Sequence, residues 1–195
     1  MNECENGTGG FEKLWAPWRM KYIEGIDAGT PPACIFCEAP KTEDDRSRRI
    51  VYRGKTTFSM LNIFPYNNGH LLLVPYIHVA EIADLPPETR LELFDCADMA
   101  ARVMKNTMRP DGFNVGMNLG RSAGAGIADH IHLHIVPRWN GDTNFLPVIG
   151  GTKVISESLD ETYEKLNRGI REFLEEPGDE KNDELRKRLR RSPGR

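Results

Sequence analysis

A row of three histidines, each separated from the next by one apolar residue, constrains the fold more than any other feature of the chain. His130, His132 and His134 form this row within residues 129–139. Because successive side chains of a β-strand point to opposite faces of the sheet, the pattern predicts a strand with one imidazole face and one apolar face. Imidazole can act as a nucleophile, an acid, a base or a metal ligand. The residues expected to face the core are Ile131, Leu133 and Ile135.

The composition is typical of a globular protein. The chain has 195 residues, of which 39% are hydrophobic and 28% are charged, so it can bury a core without disulfides. A net charge of only −3 predicts no nucleic acid partner. No apolar run reaches 18 residues, which predicts no membrane span, and the polar start of the chain is unlike a signal peptide. These features predict a cytoplasmic location.

The remaining patterns predict an α+β fold with a largely antiparallel sheet. One helix is expected from Pro86 to about residue 110, and a second from Ser158, where Ser158 and Glu161 form a capping-box pattern. The apolar positions expected on the first helix are Leu91, Phe94, Ala97, Ala101, Met104 and Met108. The strands are expected at residues 49–52, 57–63, 69–75 and 113–119 and at the histidine row.

We expect one folded domain with an extension at each end. Residues 1–10 are predicted to be a flexible tail and residues 11–33 an N-terminal arm, with the domain itself at 34–175. Residues 176–195 are almost all polar and are predicted to be disordered. A basic cluster at 186–191 is either a solvated helix end or a contact to phosphate or RNA.

Two cysteines have the spacing of metal ligands. Cys34 and Cys37 can both reach one metal ion, and a tetrahedral site needs two further ligands, for which His78 and His130 are candidates. Two alternatives remain open: the thiols carry no metal, or the histidine row holds one. The second is strained, because alternate strand residues lie roughly 6.6 Å apart whereas metal–nitrogen bonds are about 2.1 Å long.

The pattern His-x-His-x-His followed by two apolar residues resembles the histidine triad family of nucleotide hydrolases and transferases. Residues 61–75 and 34–37 resemble its upstream strands and its optional zinc site. Residues 14–23 and 144–155 are similar to its branch of bacterial diadenosine tetraphosphate phosphorylases. The resemblance implies a half-barrel sheet with two main helices, and assembly as a homodimer or higher homo-oligomer.

The resemblance also implies roles for the site residues. His132 would attack the α-phosphorus of a nucleotide and form a covalent nucleotidyl-histidine. His134 and His70 would orient phosphate oxygens or relay a proton, although a purely structural role for His70 stays open. Asn62 matches a ribose contact and Asn118 a phosphate contact. The zinc ligands that the resemblance implies, for a structural ion, are Cys34, Cys37, His78 and His130. The further candidates for phosphate binding are Ser122, Gly124, Gly126 and Arg138.

One departure from the family concerns the loop before the row. Many members place a glutamine and a serine or threonine where this chain has Gly126 and Ile127. Contacts to the leaving group must then come from elsewhere, such as Ser122, Arg121 or Arg138. The small residues of this loop expose backbone N–H groups to an anion.

Four functions remain open from the sequence. The first is phosphorolysis of diadenosine tetraphosphate to ADP and ATP, with inorganic phosphate as co-substrate. The others are hydrolysis of dinucleoside polyphosphates, cleavage of nucleoside phosphoramidates, and binding of nucleotides without catalysis. The phosphoramidase requires a general acid for its amine leaving group, and the missing glutamine and serine do not favour it.

Overall fold

The computed structural model describes residues 33–145, 149, 154–175 and 180–190. The chain divides into two units, and the unit that carries the histidines comprises the described residues 33–142, 155–175 and 180–190. The predicted flexible tail and all but the last residue of the predicted arm lie outside the described residues. Within the described part of the chain, no helix is long and apolar enough to cross a membrane.

The sheet of this unit is antiparallel and open. Its strand order is β1-β2-β3-β5-β4, and every neighbouring pair is antiparallel. Together with the helices, this sheet confirms the predicted α+β class. The strands are β1 (Ile50–Arg53), β2 (Thr57–Leu61), β3 (Leu71–Pro75), β4 (Gly112–Met117) and β5 (Leu133–Arg138).

Four α-helices accompany the sheet in the described residues. The capping box predicted for the C-terminal helix is present: the Glu161 amide donates to Ser158 Oγ and the Ser158 amide to Glu161 Oε2, both at 3.2 Å. Three short 3-10 helices cover Ala39–Lys41, Ile82–Asp84 and Arg121–Ala123. The α-helices are α1 (Ile35–Glu38), α2 (Pro87–Thr107), α3 (Leu159–Glu175) and α4 (Glu180–Leu189).

Both faces of the central strands are covered. All five residues of β3 are buried, as expected for a strand with apolar neighbours on both sides. Leu71 and Leu73 belong to the larger core with α2, α3 and α4, whereas Leu72 and Val74 belong to a smaller cluster with Phe36 of α1. The register places Leu72 opposite His134. The histidine face of the sheet is therefore buried, and α1 covers it through Phe36.

The buried face of α2 agrees with the predicted one only in part: Ala97 and Met104 lie in the larger core and Ala101 and Met108 pack against it. Leu91 and Phe94 were expected in the apolar stripe, but they are 57% and 60% exposed. The stripe that contacts the core passes instead through Leu93, Cys96 and Ala100. The prediction was wrong for Leu91 and Phe94 because the helical period alone does not fix which edge of the apolar stripe faces the sheet.

The C-terminal segment was expected to be disordered over 176–195, whereas its described part forms α4. Leu185 and Leu189, four residues apart on α4, are 1% and 0% exposed and join the larger core. The carbonyl of Leu189 accepts a hydrogen bond of 2.6 Å from the buried Tyr52 hydroxyl. Arg188 pairs with Asp95 of α2 through two contacts of 2.9 Å. Two buried leucines, one buried hydrogen bond and one ion pair together dock this otherwise polar helix.

Candidate active site

The three histidines of the row lie side by side and are almost completely buried. His134 belongs to β5, whereas His130 and His132, predicted to lie on the same strand, come just before its first residue, Leu133. Their exposed fractions are 0%, 6% and 8% in chain order. The sequence predicted an imidazole face and an apolar face, and the larger core confirms the apolar one, since it contains Ile131, Leu133 and Ile135.

A main-chain atom fixes the tautomer of His132. Its Nδ1 lies 2.9 Å from the carbonyl oxygen of His130, and a carbonyl can only accept, so Nδ1 carries the hydrogen. Nε2 is then left with its lone pair. Burial lowers the pKa of His132, against the opposing effect of the hydrogen bond. The imidazole is thus neutral at physiological pH, which is the state a nitrogen nucleophile requires.

His70 and His134 form a second ordered pair. The backbone amide of Tyr66 donates to His70 Nδ1 at 3.0 Å, so the hydrogen of neutral His70 sits on Nε2. That nitrogen lies 2.8 Å from His134 Nδ1 and donates to it. His134 Nδ1 is therefore an acceptor, and neutral His134 carries its hydrogen on Nε2. Burial, followed by the nearby His134 and His132, lowers the pKa of His70 to about 3.

The buried His70 predicts an acid-sensitive fold. Because its folded-state pKa is about 3 and an unfolded histidine titrates near 6.5, protonation favours the unfolded chain. The contribution of His70 is complete above about pH 6.5 and is lost as the pH falls below that value, at up to about 1.4 kcal/mol per pH unit. Urea unfolding at a series of pH values gives the free energy of unfolding of the wild type and of His70→Asn. As the pH falls below about 6.5, this free energy should decrease less steeply in the variant. An equal dependence of the unfolding free energy on pH in both proteins would contradict a lowered pKa of His70.

Four predicted metal ligands converge at one point. The ligand atoms of Cys34, Cys37, His78 and His130 all lie within 4.8 Å of one another. His130 Nδ1 is 3.3 Å from Cys34 Sγ, and His78 Nδ1 is 3.3 Å from Cys37 Sγ. A tetrahedral site with Zn–S of about 2.3 Å and Zn–N of about 2.1 Å separates its donors by roughly 3.4–3.8 Å. The nearest donors are already about this far apart, so the cluster could hold a metal ion once its more widely separated donors move closer.

The cluster is also oriented for ligation. His130 Nε2 lies 2.9 Å from the carbonyl oxygen of Pro75 and donates to it, so Nδ1 presents its lone pair towards the two sulfurs. Such a bond from the second ring nitrogen is typical of histidine ligands. Burial lowers the pKa of His130 and keeps it neutral. Partial burial, reinforced by Cys34, raises the pKa of the Cys37 thiol.

The predicted nucleotide ligands are placed less uniformly. Asn62 is adjacent to the histidines, with Nδ2 3.3 Å from His70 Nδ1 and Oδ1 accepting from the Phe64 amide at 2.9 Å. Asn118, Ser122 and Gly126 lie in the connection between β4 and β5. The amide of Gly124 in the same loop donates to the carbonyl of Arg121 at 2.9 Å. The phosphate-binding role of these residues stays a prediction.

Arg138 has structural partners within the protein. Its Nε and Nη2 contact the two carboxylate oxygens of Asp142 at 2.6 and 2.8 Å, and its Nη1 contacts Asn114 Oδ1 at 2.7 Å. The ion pair raises the pKa of Arg138. This bidentate arrangement holds the end of β5 and favours a structural role over the predicted contact to phosphate.

Two aromatic residues at the site were not singled out from the sequence. The Phe36 ring lies 4.8 Å from that of His132, and the Tyr66 ring stacks on that of His134 at 5.6 Å with planes 13° apart. Both residues lie inside the motifs at 34–37 and 61–75. An aromatic residue between metal ligands, or three residues before a turn glycine, was the available signal, but only the fold reveals which imidazole each ring contacts.

The sequence matches the HIT domain family over residues 43–141. The chain belongs to the HIT family, as the histidine row predicted. It is 45% identical over 162 residues to the AP-4-A phosphorylase of Mycobacterium tuberculosis, which covers 80% of this chain and 83% of that protein. It is also 36% identical to the adenosine 5'-monophosphoramidase of Saccharomyces cerevisiae, over 63% of this chain and 73% of that one. The chain is therefore a nucleotide-processing enzyme of this family.

Solved structures share the fold. A zinc-bound histidine triad family protein from Mycobacterium smegmatis matches with a TM-score of 0.59 and 27% identity, over 72% of this chain and 94% of that one. A hypothetical histidine triad nucleotide-binding protein from Sulfolobus tokodaii matches with a TM-score of 0.53 and 29% identity, over 71% and 90%. These similarities agree with the antiparallel sheet and its helices.

Proposed function

We propose that the enzyme is a phosphorylase of diadenosine tetraphosphate that works through a nucleotidyl-histidine on His132. The observation that carries the proposal is the hydrogen bond of 2.9 Å from His132 Nδ1 to the His130 carbonyl, which leaves Nε2 as a neutral nucleophile in a buried site. The similarity to the AP-4-A phosphorylase of Mycobacterium tuberculosis supports this substrate and acceptor.

In the first step, Nε2 of His132 attacks the α-phosphorus of one adenosine. A P–N bond forms, the P–O bond to the rest of the molecule breaks, and ATP leaves as an anion. In the second step, an oxygen of inorganic phosphate attacks the same phosphorus, the P–N bond breaks, and ADP is released with His132 restored. Division of one displacement into two is ordinary covalent catalysis.

His134 and His70 help to stabilise the negative charge that develops on the phosphate oxygens. His134 carries its hydrogen on Nε2, because Nδ1 accepts from His70, and this N–H is the donor we assign to a phosphate oxygen. His70 acts behind it and keeps that tautomer in place. Preorganised donors of this kind stabilise a transition state without further reorganisation.

A phosphoramidase is the second candidate. The relationship to the adenosine 5'-monophosphoramidase of Saccharomyces cerevisiae favours it, and the Nε2 hydrogen of His134 is a possible acid for an amine leaving group. A hydrolase would use the same covalent intermediate with water as acceptor. A protein that only binds nucleotides would need none of the tautomer ordering described at the site.

The products from diadenosine tetraphosphate, with and without inorganic phosphate, separate these functions. We expect ADP and ATP to appear only when phosphate is present, because phosphate is the acceptor at the His132 intermediate. AMP and ATP at the same rate in both conditions would identify a hydrolase and refute phosphorolysis. Turnover confined to an adenosine phosphoramidate would identify the phosphoramidase, and binding without any turnover would refute an enzyme.

We also propose that the cluster of Cys34, Cys37, His78 and His130 holds a structural zinc ion. All four tetrahedral positions would be filled by the protein, which is typical of structural sites. The bound ion would supply a cross-link between α1 and the segments that follow β3 and precede β5. The zinc-bound relative from Mycobacterium smegmatis supports the choice of metal.

Assembly into a homodimer or higher homo-oligomer is proposed from the edge of the sheet. Among the residues that the structure describes, β4 is an edge strand, and Asn114, Val115 and Gly116 at its centre are exposed. An unpaired edge with an exposed apolar side chain is a template for pairing with a second copy. Sedimentation equilibrium should return a multiple of the chain mass of 22.1 kDa, and a monomer would refute the assembly.

A further inference from the structure

Phe36 joins the four-ligand cluster to the proposed nucleophile. It lies in α1 between Cys34 and Cys37, and only 2% of it is exposed. Its ring centroid is 5.4 Å from that of His130 and 4.8 Å from that of His132. One buried side chain therefore contacts both a ligand of the cluster and the residue assigned to attack phosphorus.

His130 makes a second connection through its main chain. Its Nδ1 is 3.3 Å from Cys34 Sγ and 3.6 Å from Cys37 Sγ. Its carbonyl oxygen accepts the Nδ1 hydrogen of His132 at 2.9 Å. A shift of this residue would therefore change both the cluster and the acceptor that fixes the tautomer of His132.

The imidazole of His132 needs such support. Rotation by half a turn about its Cβ–Cγ bond exchanges Nδ1 with a ring carbon, and this torsion has two broad, similar minima. The flip breaks the hydrogen bond and points a C–H where the nucleophilic nitrogen should be. The rings of Phe36 and His134 both lie 4.8 Å away, and close packing against them opposes the rotation.

The position of Phe36 depends in turn on α1. This helix has only four residues, and helices this short are not stable by themselves. Contacts from outside the helix must hold it against the sheet. Cys34 and Cys37 provide two of them, through His130 and His78.

We propose that Phe36 is a positioning residue for His132 and that the four-ligand cluster sets its place, so that metal loading is transmitted to the orientation of the nucleophile. The inference rests on the proposed role of His132. It goes further because it gives the metal site a second role besides cross-linking. The site would also control the orientation of the His132 ring, which lies 4.8 Å from Phe36.

The test compares two phenylalanines of the same apolar cluster. Phe36→Leu removes the ring beside His132. Phe58→Leu is the matched control, because Phe58 is also fully buried in that cluster but its ring contacts Tyr76 at 5.4 Å. The zinc-loaded and metal-free proteins are examined without nucleotide by ¹⁵N NMR of the histidine nitrogens, and with substrate by single-turnover kinetics.

We expect zinc-loaded wild type and Phe58→Leu to show one His132 tautomer, with the hydrogen on Nδ1. Zinc-loaded Phe36→Leu and the metal-free wild type should both show a mixture. Formation of the nucleotidyl-histidine in Phe36→Leu should slow by about tenfold with little change in KM, since a small misplacement of a reacting group lowers rate more than binding. Removal of zinc should then change the His132 signal of Phe36→Leu much less than that of the wild type.

An unchanged His132 signal in Phe36→Leu would overturn the inference and leave the proposed function intact. Equal disorder in both leucine variants would also overturn it, because Phe36 would then be only a core residue. Should wild type form no adduct on His132, the proposed function fails, and the NMR comparison still decides whether Phe36 positions the ring. If Phe36→Leu does not fold, Phe36→Met, which fills the space with a flexible chain, takes its place.

Discussion

Replacement of His132 by alanine is expected to abolish turnover, with a loss of roughly 10⁴-fold or more in kcat, because a covalent catalyst without its nucleophile keeps only binding and electrostatic stabilisation. The fold should survive, since the His132 ring packs against Phe36, which belongs to the smaller of the two apolar clusters. The measurement is phosphate-dependent release of ADP, alongside circular dichroism and thermal unfolding of the variant.

A second variant separates chemistry from structure at the same position. His132→Asn keeps a side-chain N–H that can donate to the His130 carbonyl, the contact that His132 makes at 2.9 Å, but it has no nucleophilic nitrogen. We expect His132→Asn to be as inactive as His132→Ala and closer to wild type in stability. Intact-mass spectrometry should detect the nucleotidyl adduct in wild type and in neither variant. Appreciable turnover or adduct in either one would refute the nucleophile assignment.

Removal of zinc is expected to have the largest effect on stability. An ion that binds only the folded state at a hundred to a thousand times its Kd stabilises by about 3–4 kcal/mol, which for a chain of this size corresponds to roughly 10 °C in Tm. Stripping the metal, or Cys37→Ser, should lower Tm by about this amount. The measurement is calorimetry of the metal-free protein before and after zinc is added, with one zinc per chain expected by elemental analysis.

Cys96→Ala is the control for the cysteine variant. Cys96 is also a free thiol, but it is buried in the larger core and contacts Thr57 at 3.6 Å. Its truncation should cost some stability through a small cavity and leave the response to zinc unchanged. A metal-free protein whose Tm does not move on addition of zinc would contradict the structural zinc site.

Residues close in sequence carried most of what could be predicted. The alternation around His132 predicted an apolar face in the core, although the strand itself begins only at Leu133, and the spacing of Ser158 and Glu161 predicted the cap of α3. The cluster of two cysteines and two histidines was predicted from a short motif and the family resemblance. Local periodicity and spacing survive folding because they depend on backbone geometry that is the same in every protein.

The misses depended on contacts between distant parts of the chain. The docking of α4 rests on Leu189 and its contact with Tyr52, which are 137 residues apart. The exposed side of α2 at Leu91 and Phe94 was set by where the sheet lies. The N-terminal arm and the start of the chain lie outside the described residues, so those predictions stay predictions.

Three main-chain groups determine which nitrogen of each histidine carries the hydrogen, and this affects which substitutions the site tolerates. The carbonyls of His130 and Pro75 and the amide of Tyr66 specify the protonated nitrogen of three imidazoles. Every amino acid presents a carbonyl, and every one except proline presents an amide hydrogen, so most substitutions of neighbouring side chains leave these instructions unaltered. Substrate-contacting side chains can therefore change during evolution while the backbone keeps the same histidine tautomers.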